Sequence, residues 1–146
     1  MFGEFGQAKI LDFGVAHVLE NPESSDIVNA GEGTYHFMAP EKCDPDIDEY
    51  HGKPLDVWSL GVTLYCLLFL ELPFNGKTEH LIMEDIRTRE LEIPKTREVS
   101  PELIEILLQL CEKDPEKRIT LEKLSENECF LLDEEEVKED DDEDSN

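Results

Sequence analysis

The acid Asp12 stands between an apolar pair, Ile10-Leu11, and a Phe13-Gly14 pair that breaks the apolar pattern. A carboxylate at the end of a strand, followed by a flexible glycine, is suited to hold a metal ion such as Mg²⁺. If that metal carried a nucleotide, most of the nucleotide site should precede Asp12, yet only eleven residues do. The triplet alone is a weak signal, since it occurs by chance in roughly one chain of this length in fifty.

A second group of acids, Asp44, Asp46 and Asp48, occupies positions 1, 3 and 5 of a would-be calcium loop. Position 6 holds Glu49 where the turn needs a glycine, and position 12 holds Leu55 where a bidentate acid belongs. The pattern therefore fails as an EF-hand, and we interpret it as a solvated acidic connection.

The charge of the 146-residue chain limits its partners. Of the formal net charge of −24, residues 133–146 carry −9, with ten acids and one lysine, and residues 1–132 carry −15. Unassisted binding to nucleic acid or to an anionic membrane would be repulsive. The acidic run is expected to be disordered, because it cannot bury enough apolar surface to offset ordering. A chaperone role for it is an alternative, although such tails usually only solubilise.

The cysteines and the N-terminus indicate an intracellular protein. Cys43, Cys66, Cys111 and Cys129 form no C-x-x-C pair and have no histidine at ligand spacing, which favours reduced thiols over disulfides or zinc. The first residues lack the basic end and apolar stretch of a secretory signal. We therefore expect the cytoplasm or the nucleus.

The elements that must position these residues are mostly helices. The longest apolar run, residues 55–70, is too short for a membrane span and predicts a helix buried on all sides. Residues 78–89 predict an amphipathic helix with Leu81, Ile82 and Ile86 on one side.

Capping residues predict two further helices. Ser100, followed by Pro101 and Glu102, is a helix start, and Thr120 is expected to cap a last short helix. The helix after Ser100 should present an apolar stripe of Leu103, Ile104, Leu107, Leu108, Leu110 and Cys111. Residues 8–11 predict the one strand, and residues 15–38 a functional or mobile loop. The expected fold is mainly α.

Four blocks follow in order: the DFG at residues 12–14, GTYHFMAPEK at 33–42, LDVWSLG at 55–61 and KDPEKRIT at 113–120. Together they resemble the C-terminal lobe of eukaryotic protein kinases, with its DFG, its APE, its central buried helix and the arginine near its last helices. The resemblance covers residues 8 to about 126. It implies a protein Ser/Thr kinase (EC 2.7.11) that uses ATP and Mg²⁺ on protein substrates, a downstream kinase among them.

The resemblance also implies roles for single residues. Asp12 resembles the acid that binds Mg²⁺ on ATP, and Phe13 with Gly14 the switch between active and inactive states. Thr34 matches the threonine of the substrate-docking loop, which favours a Ser/Thr kinase over a tyrosine kinase. The alternative for Asp12, a plain exposed acid at a strand end, stays open.

Other matched residues are expected to be architectural. Glu41 matches an acid that pairs with an arginine, here Arg118. Asp56 resembles the acid that accepts hydrogen bonds from the backbone of the catalytic loop. Trp58 and Gly61 belong to the same central helix.

Within the kinases, residues 52–66 (GKPLDVWSLGVTLYC) look closest to the calcium/calmodulin-dependent protein kinase kinase-like group. Ser24 and Ser25 lie where kinases carry activating phosphates, so they are candidate phosphorylation sites or ordinary loop serines. Residues 128–130 depart from the His-Pro-Trp of many kinases, although Phe130 could still pack as the aromatic.

Several parts of a working kinase are missing from the sequence: the glycine-rich loop, the lysine–glutamate pair and the H-R-D catalytic loop. We therefore expect residues 1–132 to be a partial kinase domain that lacks the N-lobe, the catalytic loop and a complete catalytic set, and residues 133–146 to be an acidic tail. Alone it should be inactive and hold no cofactor. The alternative is a non-catalytic docking or regulatory protein.

Overall fold

The fold is described here from a computed structural model, which covers residues 8–18, 26–28 and 33–127. In chain order its elements are β1 (Ile27–Val28), a 3₁₀ helix (Tyr35–Phe37), a second 3₁₀ helix (Pro40–Cys43), β2 (Tyr50–His51), α1 (Gly52–Phe69), α2 (Glu79–Thr88), α3 (Pro101–Leu110) and α4 (Leu121–Ser125). The expectation of a mainly helical chain is confirmed for these ranges. No helix within them is long and apolar enough to cross a membrane. Some residues with predicted roles lie outside these ranges: Ser24, Ser25, Cys129, Phe130 and the tail 133–146.

Helix α1 is the centre of the fold and begins earlier than the apolar run suggested. Pro54 lies in its first turn, where a missing N–H costs nothing because that group has no helical partner. The helix ends at Phe69, and the next residue, Leu70, caps it: Leu70 adopts a left-handed conformation with φ 58° and donates its N–H to the Cys66 carbonyl at 2.9 Å.

The prediction that α1 is buried on all sides is wrong. One side is buried: Val57, Trp58, Gly61, Val62, Tyr65 and Phe69. On the other side Leu60 is 42% exposed, Leu67 is 55% exposed, and Thr63 between them is also exposed. These residues share one face at helical spacing, and the described elements pack against the opposite face.

Helix α3 packs against α1 at Gly61. A Cβ atom built there would lie 2.7 Å from Cys111 Sγ and 2.8 Å from Leu110 Cβ, so only glycine lets the two backbones come this close. Of the predicted stripe, Leu107, Leu110 and Cys111 are buried, whereas Leu108 is 46% exposed. The stripe prediction also missed Ile106, which is buried.

The predicted helix starts at Thr78, Ser100 and Thr120 are confirmed, since each hydroxyl accepts a hydrogen bond from a backbone N–H three residues later. On α2, Ile82 and Ile86 are buried as expected. Leu81 is 45% exposed, so its placement on the buried side is wrong. Adjacent residues point about 100° apart around a helix, so Leu81 cannot share the face of Ile82.

The strand prediction is wrong in position. Only Ala8 of residues 8–11 makes a β-bridge, and Ile10 and Leu11 are 85% and 55% exposed. A strand needs a ladder of hydrogen bonds from a neighbour, which local pattern cannot supply. The described sheet instead pairs β1 with β2 antiparallel, and β1 falls inside the predicted loop 15–38. Two-residue strands have no period to detect.

The Ser100 cap gives a first stability test. Replacing Ser100 with alanine should lower the free energy of unfolding by about 1 kcal/mol, because the N–H of Leu103 loses its acceptor. Urea unfolding followed by circular dichroism measures it. Thr96→Ala, on the exposed loop before the helix, is the control and should change stability by less than about 0.5 kcal/mol. Equal effects of the two substitutions would contradict the capping role.

Candidate functional site

Arg118 joins three separate segments of the chain. Its Nη1 and Nη2 donate to the two carboxylate oxygens of Glu41 at 2.7 and 2.9 Å, a bidentate pair. Nη1 also donates to the Pro54 carbonyl at 2.8 Å, and Nε to that of Glu112 at 2.7 Å. Nη2 reaches the Lys113 carbonyl at 3.3 Å. The arginine side chain is 1% exposed and the Glu41 side chain 10%, so this network is shielded from solvent.

Trp58 contacts this network through its indole ring. The guanidinium of Arg118 lies 5.1 Å from the indole ring, and the ring of Phe74 stacks on the indole at 5.8 Å. Trp58 is fully buried, and its Nε1 has no hydrogen-bond partner in the described part of the chain. The indole therefore serves packing and cation contact rather than hydrogen bonding.

Two more cations lie against Phe74, and the sequence analysis missed both. Arg89 and Lys113 lie 5.2 and 5.4 Å from its ring. Lys113 Nζ donates to the Ile86 carbonyl at 2.7 Å and to that of Arg89, and burial lowers the pKa of Lys113. A hydrogen bond between the side chains of Asp85 and Arg89 holds the pKa of Asp85 below its ordinary value. The sequence offered one signal for this cluster of cations, which was Lys113 at the start of the KDPEKRIT block.

Thr34 lies at the start of the first 3₁₀ helix and is exposed. Its carbonyl accepts the N–H of Phe37 at 2.9 Å. Tyr35 hydrogen-bonds Glu79 at the start of α2, which raises the pKa of the phenol. Both 3₁₀ helices pack on α2, so the segment from Thr34 to Cys43 has its shape set by α2 and by the Glu41–Arg118 pair.

Asp12 and Phe13 lie in an exposed segment. Asp12 has φ 62°, and its Oδ1 accepts the N–H of Gly14 at 3.3 Å. Phe13 is 70% exposed. Within the described ranges no three histidine, cysteine or acidic side chains come together as metal ligands, so the residues present do not complete a Mg²⁺ site around Asp12.

Asp56 lies in the first part of α1, near the exposed face that carries Leu60 and Leu67. It is exposed, and neighbouring groups that exclude water from part of the carboxylate raise its pKa. No described donor hydrogen-bonds the Asp56 carboxylate. The structure thus brings Glu41, Arg118 and Trp58 together, and none of the described hydrogen bonds or ring contacts links Asp12 or Phe13 to them.

The buried thiols offer no nucleophile. Desolvation raises the pKa of Cys43 to about 11 and that of Cys111 to about 12, so both stay protonated near neutral pH. Together with Cys66 they are free thiols.

Comparison with known proteins identifies the family. The protein kinase domain family matches residues 1–130. Over 124 residues the chain is 42% identical to the serine/threonine-protein kinase ppk34 of Schizosaccharomyces pombe, covering 85% of this chain and 34% of that protein. It is 43% identical to serine/threonine-protein kinase ssp1 of the same yeast (77% of this chain, 18% of that protein). It is 39% identical to the calcium/calmodulin-dependent protein kinase kinase cmkC of Emericella nidulans (82% and 22%).

The chain spans between 18% and 34% of the length of these relatives. The family match over residues 1–130 includes the DFG, the APE and the buried Glu41–Arg118 pair of this chain. The chain therefore belongs to the protein kinase domain family, among the eukaryotic Ser/Thr protein kinases.

Proposed function

We propose that this chain forms the substrate-docking, C-lobe part of a protein Ser/Thr kinase that transfers phosphate from ATP to protein hydroxyls. The observation that carries this is the Glu41–Arg118 pair at the end of the segment containing Thr34, because Arg118 also donates to the Pro54 carbonyl in the first turn of the central helix. A segment fixed at this end and packed on α2 can present a constant surface to a polypeptide substrate.

In this proposal ATP supplies the phosphoryl group in a complete kinase, and Mg²⁺ would neutralise charge on the phosphates. Asp12 would be one metal ligand there, but the residues described do not make a site without partners, so no step is assigned to it. Phosphoryl transfer depends on positioning and on electrostatic stabilisation by several groups at once. The sequence holds no H-R-D loop to orient the accepting hydroxyl.

We therefore expect the purified chain neither to bind Mg-ATP tightly nor to phosphorylate itself. Titration calorimetry with Mg-ATP and incubation with radiolabelled ATP measure the two properties. An Asp12→Asn variant is the matched control, and it should behave like the parent chain. Label incorporation by the parent that Asp12→Asn abolishes would contradict the expectation.

The proposed function itself is tested by the size of the native polypeptide. An antibody against residues 78–127 should detect a band well above 16.8 kDa in extracts of the source cells. The immunoprecipitated protein should then phosphorylate a protein substrate. Because the Emericella relative is named as a protein kinase kinase, another protein kinase is the first substrate to try. A band only at the size of this chain would overturn the proposal of a complete enzyme.

A non-catalytic docking or regulatory role is the second candidate. It is favoured by the exposed face of α1, where Leu60 and Leu67 present apolar surface with no described cover. This role predicts that the chain, at its own size, competes with a full kinase for a protein partner. We propose the cytoplasm or the nucleus for either form, because the wide spacing of the cysteines along the sequence favours reduced thiols.

A further inference from the structure

Helix α1 begins without a capping side chain of its own. Its N-cap residue, His51, makes no side-chain capping hydrogen bond. The first backbone N–H groups are instead taken by Asp26, which lies well before the helix in the chain. Gly52 N–H donates to the Asp26 carbonyl at 2.8 Å, and Lys53 N–H to its Oδ2 at 3.2 Å. Asp26 thus caps α1 from a distance.

The remaining carboxylate oxygen of Asp26 is also engaged. Its Oδ1 lies 2.6 Å from Nδ1 of His51, and the Asp26 side chain is 15% exposed. The following residues pair with the same segment, Ile27 opposite His51 and Val28 opposite Tyr50.

Gly52 permits this close approach of the two segments. A Cβ atom at that position would lie 3.3 Å from the Asp26 carbonyl oxygen and 3.5 Å from Cγ1 of Val28. A side chain at this position would require the Asp26 carbonyl to shift by a few tenths of an ångström.

The charges around this contact favour an anion at Asp26. The partial positive charge of a helix N-terminus stabilises a carboxylate there. The hydrogen bond between the two side chains lowers the pKa of Asp26 and raises that of His51. His51 also faces Glu116, from the segment between α3 and α4, which raises its pKa further, and Lys53 follows on its own helix.

We propose that Asp26 is a positioning residue. It would anchor the docking segment, the part of the chain after Asp26 that carries Thr34, to the start of α1. The segment has a second anchor at Met38, Ala39 and Pro40, all buried in the core. Thr34 lies between the two anchors, so release of Asp26 would free one end of the loop that carries it. The docking role of Thr34 rests on the proposed function, whereas the anchoring is tested without ATP.

Amide hydrogen exchange on the whole chain tests the anchor. Asp26→Ala should speed exchange more than tenfold at Gly52 and Lys53 and also at Phe37, whose N–H donates to the Thr34 carbonyl. Asp48→Ala, an exposed acid two residues before Tyr50, is the matched control and should change these rates less than twofold. Unchanged rates in Asp26→Ala would overturn the proposal. Faster exchange at Gly52 and Lys53 alone would also overturn it, because Asp26 would then be a cap that does not position the docking loop.

Asp26→Asn keeps the shape and the hydrogen-bonding capacity, so it covers the case in which the alanine variant does not fold. By NMR titration the pKa of His51 should fall towards its ordinary value of 6.5 in this variant. An unchanged pKa would overturn the contact between the two side chains. Failure of the phosphotransfer tests would leave both readouts as they are, so the two proposals fail separately.

The contact should also depend on pH in a defined window. His51 has a raised pKa, so its contribution is full below 6.5 and is lost as pH rises through the raised value. Asp26 has a lowered pKa, so its contribution is full above 3.8 and is lost as pH falls through the lowered value. Exchange at Lys53, corrected for intrinsic rates, should therefore be slower at pH 6 than at pH 8. A pH difference that persists in Asp26→Ala would overturn this.

Discussion

Replacing Arg118 with methionine should lower the free energy of unfolding by about 3–5 kcal/mol, because the change leaves a shielded charge without its partner. The Glu41 carboxylate would lose both of its guanidinium hydrogen bonds. The carbonyls of Pro54, Glu112 and Lys113 would each lose a donor as well. Methionine keeps an apolar stem against Trp58, so the loss measures the polar network more than the packing.

Urea unfolding followed by circular dichroism measures this loss. Lys117→Met is the matched control: it is the adjacent cation, with a side chain 74% exposed and a surface ion pair to Asp114. It should change stability by less than about 1 kcal/mol. The double variant Glu41→Gln/Arg118→Met should lose less free energy of unfolding than the two single variants lose in total. Once one charge of the pair is removed, removing the other no longer leaves a buried charge without a partner. A loss below about 1 kcal/mol in Arg118→Met would contradict a structural role for the pair.

Gly61→Ala should destabilise the chain by about 1–3 kcal/mol, although alanine is the better helix former. Propensity alone predicts a gain of about 1 kcal/mol for this change inside a helix. The added methyl would lie 2.7 Å from Cys111 Sγ and 2.8 Å from Leu110 Cβ, so α1 and α3 must move apart. Separation of these helices would loosen the packing of Val57 on Ile106 and Leu110.

The sign of the effect is what distinguishes packing from propensity. Thr63→Ala, on the exposed face of the same helix, should leave stability within about 0.5 kcal/mol of the parent or raise it slightly. The thermal midpoints of both variants, compared at one protein concentration, decide the matter. A higher midpoint for Gly61→Ala than for the parent chain would mean that the two helices do not approach as closely as described.

Local signals predicted the helices well. The starts at Thr78, Ser100 and Thr120 depend on a hydroxyl and an N–H three residues later, so the necessary atoms lie within one turn. The errors at Leu81 and on the outer face of α1 have a different cause. Hydrophobicity indicates that a side chain can be buried, but which elements cover it depends on tertiary packing.

Contacts between distant residues could not be read from local pattern. Glu41 and Arg118 are 77 residues apart, and only the resemblance to kinases suggested that they pair. Asp26 and His51 are 25 residues apart, and neither lies in one of the four blocks that resemble kinases. Nothing in the sequence therefore indicated their contact. Their geometry depends on the antiparallel pairing of two-residue strands, which carry too little pattern to detect.

The setting of Trp58 gives the chain a built-in optical reporter. It is the one tryptophan of the sequence, it is fully buried, and it contacts both the ring of Phe74 and the guanidinium of Arg118. Indole emission responds to water and to nearby charge, so its wavelength and intensity follow the state of this junction without a label. Fluorescence of the unmodified protein would therefore signal when the segment ending at Glu41 separates from the central helix.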